Sequence, residues 1–405
     1  MTWLRRMIAL GVALSAPALL AATLPAVEPM PTLDAATLAP PELLNGQGYT
    51  VDATAPVVGY MGQFTLRAPA GTFSADGTEM LAIRIDELAA IAKLSQMSQS
   101  GVFADALAES AKKTGAAIGK AVTNPVETIS GLPAGVGRMF QSTTTTVSRA
   151  TQPKGANSAS TTESAMDLLG VNKAKRQIAM KVGADPYTTN PVLAKQLDDL
   201  AQAAFAGGVS LDAAMAVSTA GVATAISATA TVSNLVWDSS PDDIRTIHEK
   251  KLAAMGVGAE TIRAFVTNRW FTPTLSVPLV ENLAQMPSVK GRPAIVALAS
   301  TVASEAEARF IVNAVDMARQ AGTATDPVTS LGLAGRILIA RTKGGRVEVP
   351  APVDYVVWTE PVKAFAERKD LTGVERTILV TGLASSQATA GLEASGWTVQ
   401  KNAKR

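Results

Sequence analysis

The sequence contains no cysteine and a single histidine, and only 4% of its residues are aromatic. Without cysteine the chain can form no disulfide and cannot carry a lipid on a thiol. One histidine and no thiol cannot supply the usual zinc, haem or copper ligand sets. In the segment His-Glu-Lys-Lys-Leu, Leu252 stands where a zinc-protease motif needs its second histidine. We therefore predict no metal and no cofactor, and we expect His248 on a helix surface.

The familiar catalytic motifs are also missing. No Gly-x-Ser-x-Gly elbow is present, and the glycine-rich stretch at 131–137 lacks the Gly-Lys-Ser/Thr ending of a phosphate loop. A carboxylate pair needs neither histidine nor cysteine, and the adjacent acids Asp198 with Asp199 and Asp242 with Asp243 are candidates. The sequence favours a non-enzymatic protein, with no catalytic residue assigned. A carboxylate-dependent hydrolase acting on envelope glycans is the alternative.

The N-terminal segment 1–22 has the order of a secretory signal peptide. Arg5 and Arg6 precede an uncharged stretch at 7–20, and small residues follow it. This stretch is shorter than the about 20 apolar residues that a membrane-spanning helix needs, so a membrane anchor is the weaker interpretation. Cleavage is expected after Ala18 or Ala22. Export of a large chain without disulfides is typical of the bacterial periplasm, and we predict a periplasmic or secreted protein.

Charge is balanced overall but uneven along the chain. Removal of Arg5 and Arg6 leaves 34 basic residues against 34 acidic ones, which argues against a nucleic-acid partner. Ten cations nevertheless lie between positions 112 and 181, with three acids among them. We call this the basic segment; its cations are Lys112, Lys113, Lys120, Arg138, Arg149, Lys154, Lys173, Lys175, Arg176 and Lys181. It could bind an anionic lipid surface or an envelope protein, or it could be a solvated face.

Composition and periodicity divide the chain into successive parts. They are a signal peptide (1–22), a Pro/Ala-rich lead-in (23–48), a β segment with helices (49–140), a Ser/Thr-rich linker (141–162), a helical bundle (163–322) and a small α/β cap (336–400). The predicted fold is mainly α with α+β ends: a small N-terminal β segment, a central helical bundle, and a C-terminal hairpin plus a strand-helix-strand unit.

Several elements have clear local signals. Apolar spacing predicts a helix over 78–97. Capping residues before proline predict helix starts at Pro191, Pro241 and Pro273, and Ser304 with Glu307 has the spacing of a capping box. Towards the C-terminus, 336–341 and 346–349 flank glycines as in a hairpin, a helix is expected over 353–369, and a strand-helix-strand unit follows.

One long stretch, 213–237, contains no charged side chain. Its length would allow it to cross a bilayer. It consists largely of alanine, serine and threonine, which favour lipid only weakly. We expect a buried central helix of the bundle, and a membrane-inserting hairpin is the alternative.

Several short phrases resemble those of an uncharacterised family of exported bacterial proteins. They are GYTVD (48–52), GYMGQFT (59–65), DPYTTNP (185–191) and PAPVDY (350–355) with Trp358. The resemblance covers most of the mature chain. The resemblance implies that the chain is a single exported unit, and it assigns no activity, cofactor or site residue to it. The sequence as a whole predicts an exported helical protein that binds an envelope partner or the membrane surface.

Overall fold

The computed structural model describes residues 24–98, 170–207 and 235–403, together with Val136 and Met139. The structure is 48% helical and 21% strand, with sheets of six, five and two strands. The expectation of a mainly α protein with a small β segment is therefore wrong, and the architecture is α+β. Many of the strands are only two or three residues long, too short for alternation to reveal them in the sequence.

The N-terminal unit is built on a six-stranded antiparallel sheet. Its strands are β1 (Thr32–Asp34), β2 (Asn45–Gly46), β3 (Tyr49–Val51), β4 (Thr54–Val58), β5 (Met61–Ala68) and β6 (Gly71–Asp76). Two single-turn helices, α1 (Ala35–Leu38) and α2 (Pro41–Leu44), lie between β1 and β2. The central strand β5 pairs with β3, β4 and β6. Its alternate residues Gly62, Phe64 and Leu66 are buried, as strand geometry requires.

Three helices cover this sheet. The helix α3 (Thr78–Ser98) packs on β5 and β6, and the predicted helix over 78–97 is thereby confirmed. A helical hairpin of α4 (Val171–Val182) and α5 (Pro191–Gly207) packs against α3. The turn between α4 and α5 caps the second helix, because Asn190 Oδ1 accepts a hydrogen bond from Val192 N at 3.1 Å.

In the described range 235–403, five helices of eight or more residues precede the second sheet. They are α6 (Pro241–Ala254), α7 (Ala259–Val266), α8 (Pro273–Ala284), α9 (Arg292–Ala299) and α10 (Glu305–Gln320). The three helices that were predicted to begin at Pro191, Pro241 and Pro273 do begin at these residues. Only half of the capping box predicted at Ser304 forms. Glu307 N donates to the Ser304 hydroxyl, but the Glu307 carboxylate accepts a hydrogen bond from Ala303 N, at 2.9 Å, instead of from Ser304 N. In the described part of the chain, no helix has the length and apolar character needed to span a membrane. Residues 213–234 lie outside that part.

The second sheet has five strands in the order β13-β11-β9-β8-β7. These are β7 (Val328–Ala334), β8 (Ile337–Thr342), β9 (Val347–Ala351), β11 (Arg376–Val380) and β13 (Thr398–Gln400). Strands β8 and β9 form the predicted antiparallel hairpin. Strands β9, β11 and β13 are parallel, and the crossover connections contain α11 (Glu360–Ala366) and α12 (Ser386–Ala394).

The helix predicted over 353–369 is largely wrong. Only seven residues of it are helical, in α11, which begins beside Pro361. The preceding residues form the short strand β10 (Tyr355–Val356), which pairs in parallel with β12 (Leu383–Ala384). Val356, Val357 and Trp358 are all buried, so tertiary burial decides their conformation.

Apolar side chains form two principal clusters. The larger cluster joins α6–α10 to the second sheet, and the other joins the first sheet to α3, α4 and α5. The second cluster includes residues from both sides of the predicted linker at 141–162, which lies outside the described residues.

A half-buried carboxylate connects the two units. Asp354 accepts hydrogen bonds from Gly62 N at 2.9 Å and from Thr78 N at 3.1 Å, and so caps α3 from the other unit. Burial raises the pKa of Asp354, although these backbone donors oppose the shift. Tyr60 adds a second link through its hydroxyl, 2.7 Å from Thr359 Oγ1. The orientation of α3, and of the hairpin packed on it, thus depends on contacts between the two units.

Candidate functional site

Four cations of the basic segment lie in the described part of the chain, and all four are on α4. They are Lys173, Lys175, Arg176 and Lys181. The other six, Lys112, Lys113, Lys120, Arg138, Arg149 and Lys154, lie outside the described residues. The helix contains no acidic residue. It is therefore a strongly cationic element.

The four cations of α4 differ in exposure. Arg176 is only 7% exposed. Lys175 forms an ion pair with Asp198 of α5, with Nζ to Oδ1 at 2.7 Å. Lys173 and Lys181 are exposed, and with Gln177 they follow a four-residue spacing along one helix face. These two lysines are the cations of α4 that an external surface can reach most directly.

Two large apolar side chains flank the exposed lysines. Met180 is 47% exposed and Phe205, near the end of α5, is 49% exposed. A Cβ atom at Gly170, the N-cap of α4, would lie 3.5 Å from the Phe205 ring, so this ring lies beside the start of α4. We call the surface formed by Lys173, Gln177, Met180, Lys181 and Phe205 the α4 stripe. It combines cations with exposed apolar groups.

Sequence reasoning identified only the cations of this surface. The spacing of Met180 from Lys173 and Gln177 was available as a signal, because these positions share a helical face. No local signal could have identified Phe205. Its place beside the start of α4 depends on the antiparallel packing of α4 and α5.

A buried polar network holds the α4–α5 hairpin at the opposite end. Glu87 of α3 is 2% exposed and accepts hydrogen bonds from Arg84 at 2.8 Å and from Asn190 at 2.9 Å. The Thr188 hydroxyl also donates to Glu87. The turn that joins α4 to α5 is thereby fixed to α3, since removing either partner would leave a buried charge or polar group unpaired.

The same turn also contacts α10. The Thr189 hydroxyl lies between Arg84 Nη2, at 2.7 Å, and the Glu305 carboxylate. Glu305 also accepts from Arg309 Nη2 at 2.8 Å. Burial tends to raise the pKa of Glu305, but the positive charges of Arg309 and Arg84 outweigh it and the pKa is lowered. Burial raises the pKa of Asp185, whose Oδ1 accepts from Thr274 Oγ1 at 2.7 Å. We interpret the network as a structural anchor of the hairpin.

The carboxylates proposed for catalysis do not converge. Asp198 pairs with Lys175 on α4, and Asp199 pairs with Lys195 at 2.8 Å. Asp242 pairs with Arg245 at 2.6 Å, while Asp243 completes a capping box with Ser240. Each of the four acids therefore has a structural partner, and the two pairs lie on different helices.

His248 is buried, so its predicted position on a helix surface is wrong. It is 2% exposed on the inner face of α6, and its ring lies 6.4 Å from that of Phe265. Burial and the nearby Lys251 lower the pKa of His248 to about 4. Its Nε2 atom has no hydrogen-bond partner among the described residues. No group of histidine and acidic side chains suited to a metal ion occurs in the described ranges.

An open cavity of about 960 Å³ lies beside the C-terminal ends of α11 and α12. Three cations, Arg368, Lys369 and Arg376, contribute to its lining. Arg368 pairs with Asp370 at 2.7 Å, and Arg376 donates to the carbonyl oxygen of Ser395 at 2.6 Å. Cations beside helix C-termini are stabilised by the helix dipole, which accounts for their position without a ligand.

Comparison of the chain with protein families, with curated proteins and with solved structures finds no match. The α4 stripe is therefore interpreted from its own residues. On this surface the exposed Met180 shares a helical face with Lys173, and Phe205 approaches the start of the same helix from α5.

Proposed function

We propose that this is an exported protein that binds an anionic membrane surface through the α4 stripe. The observation that carries the proposal is that the exposed Met180 shares a face of α4 with Lys173 and Lys181, on a helix without acidic residues, while the exposed Phe205 lies beside the start of that helix. Lysines that flank exposed apolar side chains are typical of surfaces that lie in the headgroup region of a bilayer.

The stripe supports reversible attachment. Each cation near an anionic leaflet contributes about 1 kcal/mol, so the two exposed lysines contribute about 2 kcal/mol. Burial of the exposed half of Met180 and of Phe205 adds about 1 kcal/mol each. The sum of about 4 kcal/mol corresponds to a dissociation constant of about 1 mM. Any of the six further cations of the basic segment that reaches the same surface strengthens the attachment by a similar amount per residue.

Vesicle sedimentation tests the proposal. The chain without residues 1–22 is mixed with vesicles of phosphatidylcholine alone or of phosphatidylcholine with phosphatidylglycerol. We expect sedimentation with the anionic vesicles only, and release at high salt, because salt screens exposed charges. The double variant Lys173→Glu/Lys181→Glu should bind more than about thirtyfold more weakly, because the loss of the two positive charges alone costs about 2 kcal/mol and the anionic surface repels the new carboxylates. Phe205→Ser should weaken binding with less effect on its salt dependence.

The matched control changes two exposed lysines of the other unit, Lys343→Glu/Lys401→Glu, with the same change in net charge. If this control loses as much binding as the α4 variant, net charge rather than the stripe governs attachment. Equal sedimentation of the unaltered chain with both vesicle types, or none with either, contradicts the proposal. Fractionation of bacteria expressing the full chain tests export. Retention of the protein in the cytoplasm contradicts the proposal that it is exported.

A further inference from the structure

Residues 24–31 lie as an extended strap over α11 and α12. Leu24 lines the cavity at the C-terminal ends of these helices, whereas Glu28 contacts Ser385 at the N-terminal end of α12. Four extended residues span about 13 Å, which matches the length of the nine residues of α12. The strap therefore runs along both helices in the opposite direction.

The contacts of the strap are specific and centre on Trp358. Glu28 N donates to Trp358 O at 2.9 Å, and Trp358 N donates to Glu28 Oε1 at 2.8 Å. The indole Nε1 donates to the carbonyl oxygen of Pro25 at 3.0 Å. The Ser385 hydroxyl, at the N-cap of α12, donates to Glu28 Oε1 as well. We call the surface formed by Trp358, Ser385 and Gly391 the groove; it binds a backbone carbonyl and, three residues later, a backbone N–H together with a carboxylate.

The floor of the groove is shaped for this arrangement. Trp358 is fully buried, and its ring packs directly on Gly391 of α12, where a Cβ atom would lie 2.5 Å from the indole. Three strap residues, Ala26, Val27 and Pro29, are exposed, and Val27 is 40% exposed. Most of the recognition therefore comes from the backbone and from Glu28, while little apolar surface of the strap is buried.

We propose that this groove is a peptide-binding site which the chain's own strap occupies, and that it accepts a second extended segment of the same chemistry. The recognised segment presents a backbone carbonyl three positions before a glutamate, as Pro25 and Glu28 do. The tethered strap competes with such a segment at an effective concentration in the millimolar range. Weakening the strap's own anchor exposes the groove without altering its walls. This inference is independent of the α4 stripe.

Fluorescence anisotropy with a labelled peptide of residues 24–31 (LPAVEPMP) tests this site in the full mature chain. The Glu28→Lys variant, whose strap has lost its carboxylate, should bind the peptide at least tenfold more tightly than the unaltered chain. A peptide with glutamine in place of its glutamate should bind at least tenfold more weakly. Adding Ser385→Ala to the Glu28→Lys variant should also lower the affinity, because the hydroxyl donor is lost.

The control variant is Glu42→Lys, an exposed charge reversal in α2 away from the groove, which should bind the peptide like the unaltered chain. Circular dichroism checks that each variant is folded, and Glu28→Gln replaces Glu28→Lys if the latter is not. Failure of the folded, strap-weakened variant to bind the peptide overturns the proposal. Equal affinity for the glutamate and glutamine peptides overturns it too, because the carboxylate would then not be recognised.

Discussion

The buried His248 makes the stability of this protein depend on pH in a defined direction. Its imidazole is 2% exposed, and burial together with Lys251 lowers its pKa from 6.5 to about 4. In the unfolded chain the pKa returns to its ordinary value. Between these two values the unfolded chain binds more protons than the folded one. The free energy of unfolding therefore falls as the pH falls from about 6.5, and this contribution stops changing below about 4.

The magnitude follows from the two pKa values. The difference between a pKa of 6.5 and one of about 4 corresponds to about 3 kcal/mol at full titration, and most of it is reached by pH 4.5. The perturbation is His248→Leu, which removes the titrating group and its unpaired Nε2 atom. His248→Gln removes the titration but keeps a polar side chain. Relative to the unaltered protein, both variants should gain about 2 kcal/mol of stability between pH 7 and pH 4.5.

Urea unfolding followed by circular dichroism at pH 7, 6, 5 and 4.5 measures these differences. Asp185 and Asp354, whose pKa values burial raises, change stability in the opposite direction, but they are present in all three proteins and cancel in the comparison. The chain has only one histidine, so a single imidazole signal in a proton NMR titration gives its pKa directly. A pKa near 6.5, or a stability difference that does not change with pH, refutes the reasoning.

Two further predictions concern contacts that hold the fold together. Asp354→Ala should lower the free energy of unfolding by about 3 kcal/mol, because the backbone donors of Gly62 and Thr78 lose their partner. Asp34→Ala is its control, since Asp34 makes no side-chain cap bond; equal effects in urea unfolding would contradict the assigned role. Gly391→Ala should cost about 1–3 kcal/mol, because the new methyl would lie 2.5 Å from the Trp358 indole. Gly332→Ala, where a methyl has open space, should change the melting temperature little, and similar losses for both variants would count against this packing argument.

Local sequence signals predicted the helices better than the sheets. The apolar period of α3 and the prolines that begin α5, α6 and α8 act within one or two turns, so the sequence reveals them directly. The six-stranded sheet depends on pairs such as Val51 with Leu66 and Thr32 with Pro56, which are distant along the chain. A strand of two or three residues has no period of its own to detect.

The candidate sites also combine features that local sequence predicted with features that depend on tertiary packing. The cations of α4 were predicted from charge density, whereas Arg176 proved buried and Phe205 entered the stripe only through the packing of α5 on α4. His248 was expected on a helix surface because no metal or catalytic motif includes it. The exposure of a helical residue depends on which face packs against other elements, and α7 covers the face that carries this side chain.

By itself the sequence determined the lack of disulfides and thiol chemistry, the signal-like leader, the basic segment and the starts of several helices. These properties depend on composition or on contacts within a few residues. Only the tertiary structure decided the α+β architecture, the capping of α3 by Asp354, the burial of His248 and the seating of residues 24–31 against Trp358. Each of these joins positions far apart in the chain, and their free energy comes from burial and hydrogen bonds that exist only after folding.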